Sequence, residues 1–293
     1  LDAEYFRRVK ELNSDYVFIL DKPEVSNNFL EQVHKENIPI VWIDHHNVTP
    51  PKQEYVNYYN PFHNDKTNEP VSYLSYKITN KKEDIWIAII GCISDYYMPD
   101  FYEEFLEKFP ELAKPSPSNP FDVLYTTKIG EIARILDFSL KDSITNVVSM
   151  LKFMSNAKSP YDVLEENNKT KQIHSKFNEI NSLYQKTLNK ARESATDKYI
   201  FFTYGGEYSL SANLSNQLKF ENPNKYILSV RIRDGLAGIS LRGKDVRNLT
   251  LKAIENIPNS TGGGHQDATG ARVPEEHLPK FKEIITKLIE EKK

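Results

Sequence analysis

The sequence predicts an α/β fold in which a parallel-sheet domain is joined by a long helix to a smaller α/β accessory domain. Two observations carry this. In the N-terminal half, apolar β-type runs at 16–20 and 39–43 alternate with helix-patterned segments, the order that builds a parallel sheet with helices on both faces. Farther on, residues 167–194 contain neither glycine nor proline and are rich in Lys, Glu and Asn, as a long connecting helix would be.

Taken in order, residues 3–13 read as a polar helix, with Asp2 a solvated residue at its start. A strand follows at 16–20, a helix at 27–36 with Ser26 as its cap, a strand at 39–43 and a short strand at 56–59. Asp21 and Asp44 then leave the sheet on the same edge. In the Pro- and Asn-rich loop after residue 59, His63 and Asp65 read as solvated turn residues. Residues 70–79 and 84–94 read as helices, the second so apolar that it must be buried, and Asp95 closes it. The chain stays helical to about residue 140 except where the prolines of 114–120 interrupt it, because proline lacks the donor a helix needs. Helices continue over 142–155 and 167–194, the latter carrying His174 as a solvated surface residue. Beyond residue 198, strands are expected at 199–204, 225–231 and 238–241, with helices at 209–219, 246–255 and 276–291. The expected domains are 1–165, a connecting segment 166–197, and 198–293.

Chemistry concentrates where apolar runs end on polar groups. Val41-Trp42-Ile43 breaks into Asp44-His45-His46, and strand ends are where α/β proteins keep their sites. Carboxylate oxygen with imidazole nitrogen suits Mn²⁺, Mg²⁺ or Zn²⁺ better than a soft metal. Taken alone, the stretch reads equally well as a polar loop after a buried strand. Asp21 ends the preceding strand, and Asp95 ends an apolar helix, where the dipole disfavours an acid but suits a bound cation. Near the C-terminus, Gly262-Gly263-Gly264-His265 reads as a backbone clamp for phosphate, since successive glycines free N–H groups to approach an anion. Thr269 and Arg272 could add contacts, and His277 is structural. Arg231, Arg233, Arg242, Lys244 and Arg247 gather charge that Asp234 and Asp245 partly offset, with a mixed-charge hairpin surface as the alternative reading. Arg242, just after a strand, is the candidate for a phosphate contact because a guanidinium fork matches phosphate geometry.

Composition narrows the classes. A chain of 293 residues with 39% hydrophobic content can fill two cores, and a net charge of -3 exerts no global pull on nucleic acid, so any such binding must be local. Cys92 is the only cysteine and lies in an apolar run, which makes it a buried structural thiol. No apolar run is long enough to span a membrane and no signal-peptide pattern opens the chain, so a soluble cytoplasmic protein without a membrane partner is expected.

The order Asp21, Asp44-His45-His46, Gly91 to Asp95 and Gly262-Gly263-Gly264-His265 resembles the DHH phosphoesterases, in the branch with a C-terminal glycine-rich accessory domain: RecJ-like exonucleases, oligoribonucleases and their archaeal relatives. The resemblance covers nearly the whole chain. It implies a two-metal site using Mn²⁺ or Mg²⁺, with Asp21 bridging the ions, His45 and Asp95 completing one site, His46 touching phosphate or orienting the attack, and Asp44 fixing an imidazole. The family's first motif, an Asp-x-Asp-type loop, lies well before the position of Asp21, and the resemblance implies that this chain lacks that strand and loop. The activity it implies is exonucleolytic hydrolysis of single-stranded DNA or short RNA, with Arg242 and Gly262 to His265 holding the strand. Two alternatives share the motifs: a catalytically impaired scaffold with a replication-complex protein as partner, and a phosphodiesterase for cyclic dinucleotides or small phosphoesters.

Overall fold

A computed structural model describes residues 3–291, so Asp2 lies outside the described residues. They divide into two compact units, one of residues up to 130 with 158–160, the other of 131–157 with 161 onward.

The first unit opens with α1 (Ala3–Glu11), β1 (Val17–Leu20), α2 (Asn27–Lys35), β2 (Ile40–Ile43) and β3 (Val56–Tyr59), and its strands pair in parallel in the order β1-β2-β3. Each strand is four residues, apolar or aromatic except for Asn57 of β3, and alternate side chains choose the face. Ile19, Ile40, Trp42 and Val56 point to one face, where they are buried with Phe29, Leu30 and Val33 of α2. Ser26 sets the start of α2 by accepting the Phe29 N–H at 3.2 Å. α1 lies on the same side, its Phe6 and Val9 packing against this cluster. On the opposite face, Tyr16, just before β1, and Phe18 and Leu20 of β1 are exposed.

After β3 come α3 (Pro61–Asn64), α4 (Val71–Thr79), α5 (Ile85–Ser94), α6 (Tyr102–Lys108) and α7 (Pro120–Thr126). α5 is the buried helix that its composition demands: Ile85, Trp86, Ala88, Ile89, Ile90, Cys92 and Ile93 are all inside. Gly91 lets α4 come close, since a Cβ there would stand 2.4 Å from Ser72 Cβ. Cys92 is fully buried, and burial pushes its thiol up to about 12, which makes it inert near neutral pH.

Helix α8 (Lys128–Ser139) leads into α9 (Ile144–Met154), α10 (Tyr161–Leu164) and the long α11 (Lys171–Glu193). α11 is not a bare connector. Its Ile180, Tyr184, Leu188 and Ala191 share a core with Ile200, Leu210, Leu214 and Leu218 of the second unit. His174 corrects the sequence reading: it is buried, and its Nε2–H donates to Val163 O at 2.8 Å. A polar segment overall, α11 still buries one stripe at helical spacing, and His174 falls on it.

The second unit continues with β4 (Tyr199–Gly205), α12 (Ser211–Glu221), β5 (Tyr226–Arg233), β6 (Leu236–Arg242), α13 (Val246–Ile254), β7 (Thr261–Gly264), β8 (Ala268–Pro274) and α14 (Leu278–Glu291). The sheet order is β4-β5-β6-β8-β7, with β4 parallel to β5 and the other pairs antiparallel. Leu228, Val230, Ile239, Leu241, Ala271 and Val273 form a core with Leu249, Phe281 and Ile285. The expected α/β class therefore holds. The glycine run, expected as a backbone clamp for phosphate, is folded as strand β7.

Candidate metal centre

The site is built at the C-terminal ends of β1 and β2. Asp21 follows β1 directly and adopts the left-handed region at φ 56°, which the short polar side chain of Asp tolerates better than most. Its N–H donates to Ile43 O at 3.0 Å, and the Trp42 indole donates to Lys22 O at 2.9 Å, so the turn is pinned on both sides of the carboxylate.

From β2 come Asp44, His45 and His46. Asp44 is fully buried; it accepts the His46 backbone N–H at 3.1 Å through Oδ2 and the His46 ring Nδ1–H at 2.8 Å through Oδ1. That fixes the His46 tautomer and the orientation of its ring. His45 Nε2 lies 3.3 Å from Asp21 Oδ1, while its Nδ1 is buried without a hydrogen-bond partner. One potential ligand atom each from Asp21, His45 and His46 lie within 4.8 Å of one another.

Asp95, at the end of α5, stands near enough to sense this group. Although the residue is exposed, surrounding protein crowds its carboxylate; that desolvation and the charge of Asp21 raise its pKa, against the pull of His45 and His46. The Asp21 carboxyl is held low by its hydrogen bond with His45, reinforced by the charges of His45 and His46, with burial opposing. Burial alone would lower the His45 pKa, but the Asp21 hydrogen bond and the charges of Asp95, Asp21 and Asp44 outweigh it and raise the value. A carboxylate oxygen and two imidazole nitrogens gathered in one group fit a hard or borderline divalent cation. Asp21, His45 and His46 would hold it, while Asp95 is coupled to them electrostatically without joining their 4.8 Å group.

Sequence reasoning passed over Asn60. It is fully buried, donates through Nδ2 to His46 O at 2.9 Å, and caps α3 by accepting the Phe62 N–H at 3.0 Å. The Asn60-Pro61 pair is the available signal, a capping residue followed by proline at the first helical position.

In the second unit, β7 is the outermost strand among the described residues. Its three glycines differ in kind. A Cβ on Gly262 would press on Ile254 of α13 at 3.0 Å, and Gly264 sits at φ 133° against Ala268 O in the β7–β8 turn. At Gly263 a Cβ would meet nothing, so packing does not account for that glycine. His265 is exposed and its N–H donates to Ala268 O at 2.9 Å. Thr269 is buried and bonds Thr250 at 2.7 Å, a packing contact. Arg242 donates through Nε to Asn216 Oδ1 at 2.6 Å and through Nη1 to Leu241 O at 2.8 Å. Arg231 donates to the carbonyls of Gly206 and Glu207, and Arg233 pairs with Asp234 at 3.1 Å.

Residues 197–291 match the DHHA1 domain. No curated protein sequence matches the chain. Among solved structures, RecJ from Thermus thermophilus in complex with Mn²⁺ matches over 97% of this chain and 46% of its own, at TM-score 0.66 and 16% identity. An exonuclease RecJ bound to manganese matches over 99% and 79% of the two chains, at TM-score 0.61 and 16% identity. The DHH domain of a member of the s1p family of ribosomal proteins covers 99% and 75%, at TM-score 0.63 and 16% identity. This chain thus spans about half the length of the Thermus RecJ. It has the fold of the DHH-domain proteins and carries, at residues 197–291, a DHHA1 domain.

Proposed function

We propose that this chain is a metal-dependent phosphodiester hydrolase acting as an exonuclease on single-stranded DNA or short RNA. The observation that carries the reading is the convergence of Asp21, His45 and His46 within 4.8 Å at the ends of two neighbouring parallel strands, with Asp95 close by. Divalent ions held there, Mn²⁺ or Mg²⁺, would supply activation of water and stabilisation of the attacking and leaving oxygens. Asp21, His45 and His46 would hold the ion, Asp44 fixing the His46 ring so that it also faces the phosphate, and Asp95 would complete the ligand set. Residues 198–293 would grip the strand through Gly263, His265 and Arg242, and residues 1–165 would form the hydrolytic domain, joined by 166–197. The likeness to RecJ structures bound to manganese supports this reading through the shared fold.

The test is Mn²⁺-dependent cleavage of an end-labelled single-stranded oligonucleotide, with a duplex and a dinucleotide in parallel. It is run on the chain and on the chain extended upstream by the family's Asp-x-Asp-type segment. Cleavage of the single strand that EDTA stops and His45→Ala abolishes is expected in at least one form. Folded protein inactive in both forms, or cleavage indifferent to His45→Ala, would overturn the proposal. Preference for the dinucleotide would shift the substrate to small phosphoesters.

A further inference from the structure

Helix α5 closes in a way its sequence does not favour. The Tyr97 N–H donates to Cys92 O at 2.8 Å and the Tyr96 N–H to Ile93 O at 3.3 Å, the reverse bonds with which helices end through a left-handed residue. That residue is Tyr96, at φ 58°. Glycine is preferred at such a position because a Cβ there crowds the backbone, and a bulky side chain at positive φ persists only where the surroundings impose it. Core packing is not the compensation, since Tyr96 is 56% exposed. Its ring rests instead on Phe121 of α7, with centroids 4.5 Å apart, and Phe121 meets Tyr125 at 5.7 Å. Phe121 and Tyr125 are half-buried, so they form a footing under an aromatic ring held out to solvent.

The place of this ring gives it a role. Tyr96 follows Asp95 directly, and Asp95 lies within the electrostatic reach of Asp21, His45 and His46. A phosphodiester at that centre brings its flanking nucleobases into the same neighbourhood. We propose that Tyr96, propped by Phe121 and Tyr125, is a stacking platform for a nucleobase of the single strand whose phosphate lies at the Asp21–His45–His46 centre, an inference that rests on the hydrolase reading above. Every base has a π-face, so stacking tolerates sequence, as an enzyme consuming a strand from its end requires. A duplex keeps its bases stacked on one another and offers none to the ring.

The experiment uses a cleavage-resistant phosphorothioate oligodeoxynucleotide carrying the fluorescent base 2-aminopurine at each terminal position in turn. Binding and fluorescence are measured with Mn²⁺ for the wild type, Tyr96→Gly and Tyr96→Phe. Tyr96→Gly should keep or raise Tm, because it relieves the left-handed backbone, yet bind roughly tenfold more weakly and lose the quenching of one 2-aminopurine position. Tyr96→Phe should restore both. Wild-type affinity and quenching in Tyr96→Gly, or failure of Tyr96→Phe to rescue, would overturn the platform while leaving the hydrolase reading intact. A lower Tm for Tyr96→Gly would make the ring a packing residue and overturn it as well. A wild type that binds no single strand would overturn the hydrolase reading on nucleic acid, and the platform with it.

Discussion

Asp44 and His46 show how one buried carboxylate organises a site. With no exposure of its own, Asp44 accepts two N–H groups from the same histidine, so the imidazole of His46 is held in position and tautomer before any ligand arrives. Asp44→Asn keeps the volume but replaces one accepting oxygen with an amide that opposes the Nδ1–H. Such outer partners of metal-binding histidines typically contribute 10–100-fold in affinity or activity, so Mn²⁺-dependent cleavage by Asp44→Asn should fall by about that factor. Kinetics at saturating Mn²⁺ check this, with near-UV circular dichroism showing that the fold persists. At this scale the sequence was informative where a residue's chemistry conflicts with its setting. An acid and two histidines after Val41-Trp42-Ile43, or an acid at the end of an apolar helix, ask for an explanation. Asn60 and His174 do not stand out in that way. Asn60 in an Asn- and Pro-rich stretch looks like any turn residue, and His174 in a Lys- and Glu-rich helix looks solvated until its partner at Val163 is seen.

Elements were legible wherever hydrophobic periodicity was strong. The parallel strands, α2, α5 and the long α11 fall close to their expected positions, because each must bury a stripe or a face. Strand β7 was not legible, since glycine carries no side chain to alternate, and only its pairing with β8 makes it a strand. Helix α7 shows an element set by polar groups at one end. Asn119 accepts the Asp122 N–H at 3.1 Å, and Asp122 in turn receives Lys114 Nζ at 2.9 Å on each oxygen and the Ser118 N–H at 3.1 Å. The Lys114 hydrogen bond holds the Asp122 carboxyl below the usual carboxylate range, helped by the Ser118 N–H and opposed by burial. A depressed folded-state pKa means that the stabilisation is present above the unfolded value of about 3.9 and is lost as pH falls through the folded value. Asp122→Asn should therefore unfold at lower denaturant concentration than the wild type at pH 7, with the gap closing below about pH 4. Chemical denaturation at several pH values would show it, and a gap that stays constant into acid would contradict the assignment.

At the scale of the molecule, the chain is built of two compact units. The first holds the carboxylate and imidazole cluster, and the second presents a glycine-edged sheet with arginines at its margins. The formal charge of -3 means that attraction for a polyanion must be local. The structure engages part of the arginine cluster with protein acceptors: Arg231 with the loop after β4, Arg242 with Asn216. The sequence showed the basic residues but not these partners, which come from a loop and a helix some 25 residues earlier in the chain. Among the described residues no helix is long and apolar enough to cross a membrane. Whether Asp21, His45 and His46 form a divalent metal centre is tested by titrating the protein into Mn²⁺ and following the electron paramagnetic resonance signal of the free ion. The wild type should remove that signal, and His45→Ala, folded to the same degree, should leave it. Equal loss of signal in wild type and His45→Ala, or none in either, would contradict the metal centre.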